Sequence, residues 1–197
     1  RMMRLYAIGI ERYFLRELFL YGEVSEKVFK RILGKLSIQR EHLEKNNGTV
    51  DLTREIDRKE VFERLARLVR NLLHPRTKTD SVKDRFMYYR AQSIIASKVV
   101  KELSETHETY GEAVFDETSL TRVIELYESF RTDSQSKMER VQAEFPDIIH
   151  LLLGELASRG VFKVEEVVLE DLKKKDMITH KLYLTLKEEL EAEQEEK

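Results

Sequence analysis

The residues of this chain whose type and spacing come nearest to chemistry are Arg64, Arg67, Arg70, Arg76, Lys78 and Lys83. Arg64, Arg67 and Arg70 recur at three-residue steps, which sets them on one face of a helix. Arg76, Lys78 and Lys83 follow just beyond its end. A guanidinium forks onto paired oxygens. Such a row could therefore meet anionic lipid headgroups, a nucleotide phosphate or the acidic half of a partner chain. The competing reading is a solvated face whose arginines pair within the helix with Glu60 and Glu63.

No other group of residues points to a reaction. The five histidines, His42, His74, His107, His150 and His180, are scattered, with no pair at helical ligand spacing. There is no glycine-rich phosphate loop, nucleophile elbow or dinucleotide fingerprint. The chain has no cysteine, so a disulfide framework and a thiolate metal site are both excluded. The abundant carboxylates read as solvated helix faces. Tyr88, Tyr89 and Arg90 make a short aromatic and basic stretch, in which Tyr89 is expected in the core and Tyr88 at its edge. A non-enzymatic protein is expected, with no catalytic residue, cofactor or metal. The pI of 6.3 argues against a nucleic-acid partner, as does the lack of basic and aromatic residues interleaved on one helix.

The elements that would position these residues are helices. Of 197 residues, 37% are charged, with only 7 Gly and 2 Pro, a composition suited to long solvated helices. No segment alternates with period two, and no apolar run approaches the ~18–20 residues that cross a bilayer. The first helix is expected over 3–20, with Ile10, Phe14, Leu15 and Leu18 on one face. Gly22 supplies a turn, Ser25 an N-cap, and Val24 with Phe29 the spacing of a hydrophobic staple. A second helix over 26–36 carries Val28, Ile32 and Leu36, and a shorter piece over 38–45 stops at Asn46-Asn47-Gly48.

Further helices are expected over about 54–73, 82–108 and 118–145, the last with a weak middle at 132–136. Pro146 opens another, for which Gly160 is the expected C-cap. A closing hairpin is expected over about 163–175 and 180–191. It restates the first. Moving along the chain by 154 residues puts Ile178 on Val24, Thr179 on Ser25, Lys181 on Lys27, Leu182 on Val28 and Tyr183 on Phe29. Upstream, Val164, Val168, Leu169 and Leu172 fall on Ile10, Phe14, Leu15 and Leu18. The expected fold is an all-α bundle of eight or nine helices, with helix–turn–helix hairpins at both ends and an internal repeat. It forms a single domain over 1–197, with long central helices over about 54–145.

Charge is uneven along the chain. Residues 1–110 carry 23 Lys+Arg and 16 Asp+Glu, a balance of +7, while residues 111–197 carry 12 and 21, a balance of −9. The first residue is Arg1, as expected of a piece of a longer chain.

Leu15-Arg16-Glu17-Leu18, followed by Gly22-Glu23-Val24-Ser25-Glu26-Lys27-Val28-Phe29, then Leu36 and a charged run, resembles the cytoplasmic C-terminal region of bacterial sodium/proton antiporters. Residues 88–103 and 151–190 are similar to it as well. The resemblance implies a cytoplasmic regulatory or dimer-stabilising domain on the inner face of the bacterial membrane. Its partners would be the membrane domain of the same transporter, a second copy in a homodimer and an anionic lipid surface. The transport residues of that family lie in its membrane domain, so none carries over. Two other classes stand beside it: a free-standing helical adaptor that binds a protein through an apolar groove, and a sensor holding a nucleotide or other anion near Arg64, Arg67 and Arg70.

Overall fold

A computed structural model describes residues 2–45, 78–111 and 116–195. Six helices run through them: α1 (Met2–Leu20), α2 (Glu26–Lys45), α3 (Lys78–Tyr110), α4 (Glu117–Glu144), α5 (Pro146–Lys174) and α6 (His180–Glu195). No strand occurs among the described residues, and the fold is all-α. The helix expected over 54–73 lies outside them.

Helix α3 is the organising element. It packs along α4 and also against α1, α2 and α5. A helix covered on two sides needs a wide apolar stripe, and α3 has one: Val82, Phe86, Met87, Tyr88, Ala91, Ile95, Val99 and Leu103 are all buried. This width corrects the expectation for the tyrosines. Tyr88 is buried under the α1–α2 hairpin, while Tyr89 is only half-buried on the side of α4. A single-stripe reading assigns one of two adjacent residues to the core and misses the second covered face.

Two expected breaks, and the weak middle of the helix expected over 118–145, are continuous helix. Ser37 does not end α2: its hydroxyl donates to the Leu33 carbonyl at 3.0 Å, and Leu43 continues the buried face. Residues 132–136 do not break α4. The Thr132 hydroxyl donates back to Glu128 at 3.0 Å, Lys137 pairs with Asp133 at 2.7 Å, and Ser134 is buried. Gly160 is not a C-cap, for α5 runs through it to Lys174. For Ser37 and residues 132–136 the reason is the same. A serine, threonine or glycine inside a helix costs up to about 1 kcal/mol. Ending the helix there would strand the next turn of apolar residues, each worth more than that when buried.

Two ends follow the sequence closely. Pro146 occupies the first turn of α5. Asp116 caps α4 by accepting from the Ser119 backbone N–H at 2.8 Å.

Helix α6 packs on α5. Leu169 and Tyr183 are buried but stand outside the main core cluster. The C-terminal hairpin is therefore held by a narrow contact of its own.

Two outcomes are expected in urea unfolding. Ile32→Ala removes a side chain that is 3% exposed and should cost about 2–5 kcal/mol. Leu182→Ala alters one that is 45% exposed and should change stability by no more than about 0.5 kcal/mol. Separately, hydrogen bonds from the Ser119 side chain and backbone hold the Asp116 carboxyl below its ordinary value of 3.8. Its folded value is depressed, so its contribution is present above 3.8 and lost as pH falls through the folded value. The stability gap between the chain and Asp116→Ala should therefore be steady at neutral pH and shrink below that point.

Candidate functional site

The two hairpin turns close with the same hydrogen bonds. At the first, the N–H groups of Tyr21, Gly22 and Glu23 donate to the carbonyls of Glu17, Phe19 and Leu18. At the second, those of Lys175, Asp176 and Met177 donate to Asp171, Lys173 and Leu172. Every partner is displaced by the same 154 residues. The residue after the helix end is left-handed in both, Gly22 at φ 69° and Asp176 at φ 54°. Glycine takes that conformation without penalty, and aspartate is among the few other residues that tolerate it. A Cβ at Gly22 would meet Arg159 of α5 at 3.6 Å, an ordinary contact, so it is the backbone angle that favours glycine there.

The caps also agree. Ser25 Oγ accepts from the Val28 N–H at 3.3 Å, and Thr179 Oγ1 accepts from the Leu182 N–H at 3.3 Å. Phe29 stacks on Phe19 with ring centroids 4.5 Å apart. At the matching positions Tyr183 receives the Lys173 ammonium over its ring at 4.1 Å. The motif residues Gly22, Val24, Ser25, Phe29, Ile178, Thr179 and Tyr183 thus all fall at the turns they were expected to build. Sequence reading missed Asp176, whose signal was its position opposite Gly22.

What covers the two hairpins differs. The first lies along α3. Asp84 of α3 accepts from Ser25 Oγ at 3.1 Å and pairs through its other oxygen with Lys27. Arg90 reaches Glu23 at 2.7 Å. The Arg31 guanidinium lies 4.2 Å above the Tyr88 ring, and Lys35 donates to the Tyr88 hydroxyl. The apolar residues Ile10, Leu18, Val28, Ile32 and Leu36 are buried. On the second hairpin the matching face is more open: Val164, Val168 and Leu182 are 54%, 51% and 45% exposed, while Leu169 and Tyr183, at the positions of Leu15 and Phe29, stay buried. Leu172, Leu186 and Leu190 are half-exposed.

A cavity of about 310 Å³ lies among α1, α2, α3 and α4. Its walls include Glu11, Lys35, Tyr127, Asp133, Ser134 and Lys137. Its charges are engaged locally, with Lys137 on Asp133 and Lys35 on Tyr88. It offers a polar seam between helices, with acids and bases in balance.

The basic row does not assemble among the described residues. Arg64, Arg67, Arg70 and Arg76 lie outside them, and Lys78 opens α3 with its side chain undescribed. Lys83 pairs with Glu155 of α5 at 2.6 Å, so its charge ties two helices together. His42, His150 and His180 are exposed and His107 is half-buried, while His74 lies outside the described residues. Among the described residues, no three His, Asp or Glu side chains converge as metal ligands would.

Asp84→Ala should destabilise the chain by about 1–2 kcal/mol, because a partly buried carboxylate loses a hydroxyl donor and a cation together. Lys181→Ala, at the position matching Lys27, should leave stability within about 0.5 kcal/mol. Urea midpoints of the two variants against the parent chain check the contrast.

No family model matches this chain, and neither a curated protein nor a solved structure does.

Proposed function

We propose that this chain is a regulatory domain that acts through helix–helix contact and performs no catalysis. Its setting is the one the sequence resembles, the cytoplasmic side of a bacterial sodium/proton antiporter. The observation that carries the contact reading is the face of the C-terminal hairpin. Val161, Val164 and Val168 of α5 and Leu182 of α6 are exposed. Contiguous exposed apolar patches on a folded chain mark places where something docks. The matching face at the other end of the chain is covered.

The antiporter setting is supported by the segments around 15–36, 88–103 and 151–190 that resemble such tails. No helix among the described residues is long and apolar enough to cross a membrane. In this reading, coupling to a membrane domain passes through side-chain contacts on these helices. The polarity of the chain supports it, since the basic half, +7 over residues 1–110, would be drawn to anionic headgroups.

The test is transport in vesicles by an antiporter carrying this chain as its tail. Val168→Glu with Leu182→Glu should shift the pH or ion dependence of exchange, with protein level and melting temperature unchanged. An identical transport profile in the double variant would refute a regulatory role for this face.

A further inference from the structure

Resting on the contact reading above, we infer that the C-terminal hairpin receives one amphipathic helix from a partner. That helix docks as α3 docks on the N-terminal hairpin, with a carboxylate over Thr179 and Lys181 and a cation four residues later beside Glu189. The template is within the chain. Ser25 and Lys27 form a seat for one acid because the turn fixes both: the cap holds Ser25 in place while its hydroxyl proton remains free to donate, and Lys27 lies two residues on. Asp84 fills that seat. Thr179 is held by the same cap bond at 3.3 Å, and Lys181 lies two residues on. Both are exposed, and neither has an acid against it among the described residues. Among the described residues, nothing fills the second seat.

The differences between the hairpins say what else the partner carries. Four residues after Asp84, Tyr88 lies against the cations Arg31 and Lys35. The matching positions hold Thr185 and Glu189. A ring packed under two cations has no counterpart there, and a lysine or arginine suits the site instead. Two residues further along α3, Arg90 pairs with Glu23. The matching position is Met177, which is 68% exposed and calls for an apolar contact. The recognised helix therefore reads acid, then base four residues later, then an apolar residue after two more. Its buried stripe would lie on Val164, Val168, Leu182 and Leu186. Interfaces of this kind draw stability from the apolar stripe and register from the flanking charges.

The probe is a synthetic peptide of residues 80–103 carrying Tyr88→Lys and Arg90→Leu, its helix fixed by a side-chain lactam on the outer face so that binding does not depend on folding. Calorimetry with the full chain should show saturable one-to-one binding. Val168→Glu in the chain should abolish it. Lys181→Glu should weaken it about fivefold or more, and a peptide also carrying Asp84→Lys should restore it. The unmodified 80–103 peptide should bind more weakly than the probe. These chain positions are exposed, so melting temperatures should not move. Absence of saturable binding, or binding indifferent to Lys181→Glu, overturns the inference. Light scattering separates it from the reading it rests on. A dimer that Val168→Glu converts to a monomer would assign the face to a second copy, overturning this inference and leaving the contact reading in place. If Val168→Glu changes neither binding nor mass, both fall.

Discussion

The carboxylate of Asp84 sets where α3 lies. It bridges a hydroxyl and an ammonium presented by the first turn of α2, and its neighbours in sequence point elsewhere, because successive helical residues are turned by about 100°. Lys83 on one side pairs with Glu155 of α5, and Arg85 on the other reaches Glu144 at the end of α4 at 3.5 Å. Three consecutive charged residues thus tie one end of α3 to three neighbouring helices. Their energies are modest. Partly exposed pairs contribute up to about 1 kcal/mol each, while burying side chains such as Val99 and Leu103 contributes about 1.5–3 kcal/mol apiece. The apolar stripe supplies the stability. The charges select one register from the several in which that stripe could slide along its neighbours.

Much of this was legible before any coordinates, because the decisive signals are local. A cap residue, a staple pair and a left-handed position occur within a few residues of one another, and their spacing is dictated by backbone geometry alone. That is why both turns and their caps could be read from the chain. Helix continuity was harder to read. Whether Ser37, residues 132–136 or Gly160 ends a helix depends on how much apolar surface the next turns bury, and that depends on partners far away in sequence. The assignment of Tyr88 and Tyr89 failed for a related reason. A pattern of alternation describes one buried face, and α3 has two. The asymmetry between the hairpins had no local signal at all. Val28 and Leu182 are equivalent in spacing and chemistry, and only the presence or absence of α3 above them separates a buried side chain from an exposed one.

That asymmetry narrows what the C-terminal hairpin can be. The exposed valines of α5, Val161, Val164, Val167 and Val168, span roughly 120° of arc. On another face of the same helix Lys174 pairs with Glu170. The hairpin is amphipathic across its outer side while its inner contact, Leu169 with Tyr183, is small. A two-helix unit with so slight a core gains more from covering its outer stripe than from any rearrangement within itself. The turn that shapes the stripe is also costly to form, since Asp176 is held at positive φ where glycine would be easier. Its cap and closing bonds nevertheless match those of the first turn partner for partner. A turn held to the same geometry at greater cost, beneath a face left open, fits a surface shaped to be covered.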